Sequence, residues 1–226
     1  MTQRAGASVG AFFDVDGTLL DTTIVHFYAR LMTDGMSAAR RALWTVGFAP
    51  RLPLLLAVDR ISRAAFNRMF YRLYGGHDAA GIRERAARIV PDYATGKIYD
   101  DARQAVASHR DAGHTVALVT GTADFVALPV AGLLGIDDVL ATRLEEREGR
   151  LTGEIAGAPL SGKRKAEVMT EFAEQRSIDL SVSYAYGDST ADAEMLAAVG
   201  NAVAVNPSRR MTREAMLRRW DTRSWR

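Results

Sequence analysis

The feature that most constrains the fold is an apolar run that ends in two aspartates, VGAFFDVDGTLL over residues 9–20. A short apolar run bounded by turn residues is typical of a buried strand in a parallel sheet. Ligands of open α/β sheets bind beyond the carboxyl ends of such strands, and Asp14 and Asp16 fall at that end. Strand alternation directs both carboxylates the same way. We therefore expect a divalent cation with oxygen ligands to offset their repulsion.

The rest of the chain divides into a helical part and an alternating part. Residues 22–98 show helical periodicity without β alternation, and predict helices near 22–34, 36–48, 52–74 and 78–91. Strands are predicted at 115–119, 138–142, 182–186 and 202–205, with helices between them and a surface hairpin at 145–155. This alternation predicts a doubly wound parallel α/β sheet, with residues 1–21 and 99–226 as its core and 22–98 as an all-helical insertion.

Three predicted strands end in polar side chains that can do chemistry. Asp14 and Asp16 end the first strand, Thr120 follows the second, and Asp188 follows a later one. One such aspartate alone is often only a helix cap or a turn former. Because the carboxyl ends of parallel strands open into one crevice, we expect these four side chains to converge there.

Composition limits the kinds of site and partner. The chain has no cysteine, which excludes disulfides, thiolate catalysis and cysteine-ligated zinc, and which fits the cytoplasm. Residues 1–8 lack the pattern of a signal peptide. The overall charge of +2 includes seven arginines between Arg209 and Arg226 against only two acids. This basic tail could contact an anionic membrane, but we interpret it as a solvated helix face whose apolar stripe packs on the body, and we expect no nucleic-acid partner.

A second apolar stretch raises the question of a membrane span. Residues 42–58 are strongly apolar, but Arg51 and two prolines interrupt them. A span requires roughly 20 consecutive apolar residues. We therefore predict no transmembrane segment here, and instead a buried helix pair or one wall of a substrate pocket.

Four short motifs resemble the signatures of the haloacid dehalogenase superfamily, and specifically its subfamily IB, the phosphoserine phosphatase-like hydrolases. They are DVDGTL at 14–19, VALVTG at 116–121, a lysine that opens a helix, and GDSTAD at 187–192. The insertion at 22–98 is similar to the helical, C1-type cap of that subfamily. The resemblance implies a Rossmann-like core under a helical cap, in a Mg²⁺-dependent phosphomonoester hydrolase.

The resemblance also implies a role for each site residue. Asp14 would be the nucleophile that becomes an aspartyl-phosphate, and Asp16 the general acid and base. Mg²⁺ would be held by the Asp14 carboxylate, the Asp16 backbone carbonyl and Asp188.

Further residues would hold the phosphoryl group or its partners. Thr120, the Gly121 N–H and a lysine would bind phosphoryl oxygens, and Asp192 would orient that lysine or a metal-bound water. Lys163 and Lys165 both precede a predicted helix. The resemblance favours Lys165.

Two departures from the subfamily bear on the substrate. Thr23 stands where phosphoserine phosphatases carry the glutamate that meets the substrate ammonium, and Ala191 stands where they carry asparagine. A hydroxyl cannot replace that charge-assisted contact. We expect a different small phosphorylated metabolite, with Arg68 or Arg72 binding a second anionic group. The alternatives are a phosphotransferase or mutase of the same fold, and a non-catalytic protein that uses the basic tail to bind a membrane or partner.

Overall fold

The computed structural model describes residues 8–226. Its main sheet has six strands, all parallel, in the order β3-β2-β1-β6-β7-β8. A separate antiparallel hairpin is formed by β4 and β5. The strands are β1 (Gly10–Phe13), β2 (Thr115–Ala123), β3 (Asp138–Thr142), β4 (Leu144–Arg147), β5 (Arg150–Ile155), β6 (Tyr184–Gly187), β7 (Asn201–Val205) and β8 (Asp221–Arg223).

The described part of the chain contains ten α-helices. Five lie between β1 and β2, in the helical insertion: α1 (Ile24–Thr33), α2 (Ala38–Phe48), α3 (Leu52–Ile61), α4 (Arg63–Tyr71) and α5 (Ala79–Thr95). The other five belong to the core: α6 (Asp100–Asp111), α7 (Asp124–Leu134), α8 (Lys163–Gln175), α9 (Ala193–Ala197) and α10 (Arg209–Arg218).

The sheet is covered on both faces, because neighbouring strand residues point to opposite sides. Phe12 packs in a cluster with side chains of α8, α9 and α10, whereas Phe13 packs in the cluster that includes α6 and α7. The predicted doubly wound α/β fold with an inserted helical cap is confirmed.

The helical insertion is attached at the carboxyl end of the sheet by an aromatic cluster. Tyr28, Phe70 and Tyr74 pack edge to face at centroid distances of 5.0–6.3 Å, and Tyr74 packs 5.3 Å from Phe125 of α7. Tyr71 donates a hydrogen bond of 2.7 Å to the Gly121 carbonyl, at the end of β2. These contacts hold the insertion over the residues that follow the strands.

Two predicted boundaries were wrong. The predicted helix 52–74 breaks at Ser62, which leaves the helical region of φ/ψ and caps α4 by accepting a hydrogen bond from the Ala65 N–H. The sheet does not end at β7: β8 adds a sixth strand inside the basic tail. Only part of the tail's apolar stripe packs as expected, because Met211 is buried whereas Met216 and Leu217 are about three-quarters exposed.

The apolar stretch at 42–58 is not a buried helix pair. Phe48 and Leu55 are the buried residues of α2 and α3, whereas Leu43, Val46 and Leu54 are 75%, 69% and 62% exposed. The expectation of a buried pair was wrong because apolar composition does not by itself show which side a helix buries. By length and composition alone, Ala38–Ile61 would also qualify as a membrane span, and only 11% of its most apolar window is buried.

Candidate active site

The centre of the site is an ion pair between the end of β1 and the start of α8. Asp14 directly follows β1, and its backbone N–H extends the sheet ladder to the Tyr186 carbonyl at 3.0 Å. Its Oδ1 atom accepts a hydrogen bond of 2.5 Å from Lys165 Nζ, and the Asp192 carboxylate accepts a second one of 2.5 Å. All three residues are buried. Lys165, and not Lys163, therefore lies at the site; the Lys163 side chain is 87% exposed.

The charge state of this group is set by its ion pairs, which act against the effect of burial. Burial alone would lower the pKa of the Lys165 ammonium, but the two carboxylates outweigh burial and raise it above its usual value. Burial raises the pKa of Asp14, against the opposing effect of Lys165. The lysine therefore stays charged and holds positive charge next to the Asp14 carboxyl.

Asp16 lies in a different environment from Asp14. Its Oδ2 atom accepts a hydrogen bond from the Thr122 hydroxyl, and its buried Oδ1 atom has no hydrogen-bond partner among the described residues. Burial raises the pKa of Asp16 to about 7, even though the Thr122 hydrogen bond lowers it. A carboxyl with this pKa can both give and take a proton near neutral pH.

Gly17 allows Asp188 to approach the β1 end. Gly17 has a φ of +82°, and a Cβ atom at this position would lie 2.7 Å from Asp188 Oδ2. Any larger residue would therefore displace the Asp188 carboxylate as well as strain the backbone. Burial, together with the charges of Asp192 and Asp14, raises the pKa of Asp188 well above its usual value.

The carboxylates suit a divalent cation. Oxygen atoms of Asp14, Asp188 and Asp192 lie within 4.8 Å of one another, and oxygen donors are the ligands that Mg²⁺ prefers. Both Asp192 oxygens already accept hydrogen bonds, one from Lys165 and the other from Ser189. Asp14 and Asp188 are therefore the carboxylates best placed to hold an ion, with Asp192 fixing the lysine.

Thr120 and Gly121 lie on the other side of the same crevice. Thr120 is buried, and its hydroxyl accepts a hydrogen bond of 3.2 Å from the Thr122 N–H. Gly121 passes close to the insertion, since a Cβ atom there would lie 3.0 Å from both Asn67 Nδ2 and the Leu160 carbonyl. The absence of a side chain at Gly121 keeps the pocket between the sheet and the insertion open.

The pocket encloses about 50 Å³. It is lined by all of the site residues predicted for the sheet and α8, and by others from the insertion, β2 and the loops: Asp14, Asp16, Ile24, Arg63, Asn67, Thr120, Gly121, Thr122, Leu160, Lys165, Asp188, Ser189, Ala191 and Asp192.

The insertion contributes different side chains from those we expected. Arg68 is exposed and does not line the pocket, and Arg72 is exposed and pairs with Glu154 at 3.3 Å. Arg63 and Asn67 line it instead. On α4, Arg63 and Asn67 are four residues apart and share a helix face with the buried Phe66 and Phe70. Helical spacing from those aromatic residues would have selected this face.

Thr122 is the other site residue that sequence reasoning missed. It lies two residues beyond Thr120 near the end of β2, and both residues line the same pocket. This spacing was the available signal. The Asp16 carboxylate that it contacts follows a different strand, and its approach to Thr122 depends on the pairing of β1 with β2.

Comparison with known proteins agrees with this geometry. The sequence model of haloacid dehalogenase-like hydrolases matches residues 11–197. The chain is 33% identical to the "Inhibition of morphological differentiation protein" of Streptomyces azureus, over 93% of this chain and 76% of that protein. It is 32% identical to a phosphoserine phosphatase of Mycobacterium tuberculosis, over 97% of this chain and 71% of that protein.

A solved structure supports the arrangement of the whole chain. The crystal structure of a protein of unknown function from Bordetella pertussis superposes with a TM-score of 0.78 at 26% identity. The superposition covers 95% of this chain and 98% of that one. The sheet and the helical insertion therefore recur together in another protein.

Proposed function

The chain belongs to the haloacid dehalogenase-like hydrolase family and is a phosphatase. From this premise we propose that it hydrolyses small phosphomonoesters with Mg²⁺, through an aspartyl-phosphate on Asp14. The observation that carries the proposal is that two neighbouring carboxyls have different environments. Asp14 lies 2.5 Å from the Lys165 ammonium, whereas Asp16 accepts a hydrogen bond from Thr122 and keeps one oxygen without a partner among the described residues. The first can attack, and the second can move a proton.

In the first step, a carboxylate oxygen of Asp14 attacks phosphorus and the bond from phosphorus to the alcohol oxygen breaks. Asp16 gives its proton to that oxygen, so the product leaves as a neutral alcohol. A pKa of about 7 keeps much of Asp16 protonated near neutral pH. Lys165, Thr120 and the Gly121 N–H hold the phosphoryl oxygens as charge develops on them.

In the second step, water attacks phosphorus and the bond to the Asp14 oxygen breaks. Asp16, now ionised, takes the proton of the attacking water, and inorganic phosphate leaves. Both carboxyls return to their starting states. One residue therefore serves as acid and then as base.

Mg²⁺ fits this scheme through the Asp14 and Asp188 carboxylates and the Asp16 backbone carbonyl. Four acidic side chains of the pocket face two cations, Lys165 and Arg63. When bound, the ion supplies positive charge that offsets the repulsion between the carboxylates and the anionic substrate. Asp192 keeps Lys165 in place through its own hydrogen bond.

The insertion supports a substrate without an ammonium group. The groups proposed to hold the phosphoryl group lie at the sheet end of the pocket, so the organic part extends toward the insertion. There it meets Arg63, Asn67 and Ile24. Thr23 is exposed and hydrogen-bonded to His26, and does not line the pocket. Arg63 favours a neutral or anionic group, although phosphoserine, the substrate that names one relative, belongs in any panel.

The compartment and partners belong to the same proposal. Absence of cysteine fits the reducing cytoplasm. The substrate is the only partner that the chemistry requires. We expect no role for nucleic acid, because part of the basic tail is occupied in packing α10 and pairing β8 with β7.

The test is replacement of the nucleophile. Asp14→Asn should abolish hydrolysis of p-nitrophenyl phosphate while leaving the circular dichroism spectrum unchanged, and intact-protein mass after an acid quench should reveal a phosphate adduct on the native chain only. Asp111→Asn, which changes an exposed carboxylate at the end of α6, is the matched control. Turnover by Asp14→Asn would refute the assignment. Including an alcohol acceptor would reveal transfer instead of hydrolysis.

A further inference from the structure

The outer face of α2 and α3 carries a continuous apolar surface that nothing in the described part of the chain covers. Eight large hydrophobic side chains are exposed among the described residues, and four of them lie on this face: Leu43, Val46, Leu54 and Ile61, of which Ile61 is the most exposed at 86%. A monomeric soluble protein seldom exposes a contiguous apolar patch without using it for binding. We call this surface the outward stripe: Ala39, Leu43, Val46, Pro50, Pro53, Leu54, Ala57 and Ile61.

The spacing shows that the outward stripe is one helix face. Its members recur every three or four residues along a nearly continuous helical run, in which a 3-10 turn joins α2 to α3. None of its members is charged, and all are exposed. The opposite face of the run holds Phe48 and Leu55, both buried, and Trp44, which stacks on Phe48 at 4.9 Å. The run therefore has two apolar faces, of which only one is used for packing.

Positive charge flanks the outward stripe. Residues 38–61 contain four arginines and one acid, so this run alone carries +3 while the whole chain carries +2. The acid, Asp59, already pairs with Arg63 at 3.0 Å. Within residues 8–226, no ion pair involves Arg40, Arg41, Arg51 or Arg60.

We propose that the outward stripe docks the protein on an anionic lipid bilayer, with α2 and α3 lying in the plane of the membrane surface. An uncharged apolar face bordered by arginines is the composition of helices that bind at the interface. The unpaired arginines complement anionic headgroups. Two copies of this chain meeting through the stripe would instead bring two surfaces of the same positive sign together.

The packing of the inner face favours this orientation over a helix that spans the bilayer. Tyr28 of α1 contacts both Trp44 and Phe48, at 6.0 and 5.5 Å, so insertion across the bilayer would pull these rings out of the aromatic cluster.

The docked helices lie close to the pocket in sequence. Arg63 lines the pocket and lies two residues beyond Ile61, the last residue of the outward stripe. The proposal does not depend on the phosphatase chemistry.

Vesicle flotation of the full chain tests the proposal. The native protein should float with vesicles of phosphatidylcholine and phosphatidylglycerol, and should float much less with phosphatidylcholine alone or at high salt. In the triple variant Leu43→Gln, Val46→Gln, Ile61→Gln, the fraction of protein that floats with the anionic vesicles should fall about tenfold or more. It should keep its activity on p-nitrophenyl phosphate, because these side chains are exposed and lie outside the pocket.

Two control variants locate the effect. Leu128→Gln changes an exposed leucine on α7, and Met216→Gln with Leu217→Gln changes the exposed pair on the basic tail. Both should bind vesicles as the native chain does. Failure of the native protein to bind, equal binding by the triple variant, or loss of binding in the tail variant alone would overturn the proposal.

Depth measurements separate an in-plane helix from a span and from a dimer. Since the chain has no cysteine, an environment-sensitive dye can be attached at Leu43→Cys, Ile61→Cys or, as the control, Leu128→Cys. The first two dyes should shift to the blue on adding anionic vesicles and report the same shallow depth, while the third should not respond. Unequal depths would indicate a span. A dimer in sedimentation that the triple variant dissolves, without lipid binding, would indicate a second copy as the partner.

Discussion

The Nζ atom of Lys165 lies 2.5 Å from Oδ1 of Asp14, although 151 positions separate the two residues in sequence. Asp14 ends the first strand, and Lys165 lies in the first turn of α8. Their contact joins the β1 side of the pocket to the α8 side. It also places a buried cation between two carboxylates, so removing the lysine would leave both carboxylates without their partner.

Replacing this lysine should damage both stability and activity. In Lys165→Met, Asp14 and Asp192 lose their shared cation, and breaking a buried pair in this way typically costs about 3–5 kcal/mol. Hydrolysis of p-nitrophenyl phosphate should fall about 100-fold or more, because a donor to the phosphoryl oxygens is lost. Urea unfolding and steady-state kinetics measure the two effects. Lys163→Met is the matched control, since that side chain is 87% exposed; equal losses in both variants would contradict the assignment of Lys165.

The rate of the first step should depend on the protonation of Asp16. Burial raises the pKa of Asp16 to about 7, and the acid role requires the protonated form. For an alkyl phosphate, whose leaving oxygen needs a proton, formation of the aspartyl-phosphate should therefore decline above about pH 7. Thr122→Val removes the hydrogen bond that lowers this pKa, so the decline should move to higher pH. Rapid-quench kinetics over a pH series measures the shift.

A second buried threonine provides the control for that experiment. The hydroxyl of Thr142 has no hydrogen-bond partner among the described residues. Thr142→Val therefore changes a buried hydroxyl without changing Asp16, and the pH profile should stay in place. A profile that moves to lower pH in Thr122→Val would contradict the proposed effect of this hydrogen bond on Asp16.

Gly17→Ala should reduce activity through Asp188. A Cβ atom at Gly17 would lie 2.7 Å from Asp188 Oδ2, in addition to the strain of a positive φ. Gly113 has a similar φ of +74°, but a Cβ atom there would have nothing within 4 Å. Both variants should lose about 1 kcal/mol of stability from backbone strain, whereas only Gly17→Ala should lose about tenfold or more in kcat/KM. If the two variants had equal kcat/KM when compared at the same fraction of folded protein, the position of Asp188 would not matter for activity.

Removal of Mg²⁺ should abolish activity and reduce stability reversibly. An ion that binds only the folded chain stabilises it by about 2.7 kcal/mol at 100 times its Kd, so the thermal midpoint should rise with added Mg²⁺ and fall again with EDTA. Asp188→Asn should remove most of this response, because Asp14 and Asp188 are the carboxylates of the cluster that keep an oxygen without a hydrogen bond, whereas both Asp192 oxygens accept one. Isothermal titration calorimetry gives the affinity directly. Undiminished Mg²⁺ binding by Asp188→Asn would require a different ligand set.

The sequence was sufficient for the core of the site because topology alone brings strand ends together. Asp14, Asp16, Thr120 and Asp188 each follow a strand with a clear apolar signal, and parallel pairing places all such ends at one edge of the sheet. No side-chain packing needs to be known for that inference. The same rule, with strand alternation, would also have given Thr122.

Site residues on helices were harder to predict, because side chains project all around a helix and the elements packed against it decide which side is buried. The sequence alone left Lys163 and Lys165 as alternatives, and α8 turns only Lys165 inward. It suggested Arg68 and Arg72, one face away from Arg63 and Asn67. The break at Ser62 and the extra strand β8 likewise depend on contacts that lie far apart in the chain.

What the sequence by itself determined is the fold class, the order of the strands along the chain, and the carboxylates gathered at their ends. Only the tertiary structure decided which lysine completes the ion pair, which face of α4 lines the pocket, and that the apolar run of α2 and α3 lies outside. The physical reason is that strand direction follows from local periodicity and pairing, whereas the burial of a helix face depends on the elements that pack against it. Apolar residues on both faces of one helix can all be removed from water only if something outside the described residues covers the second face.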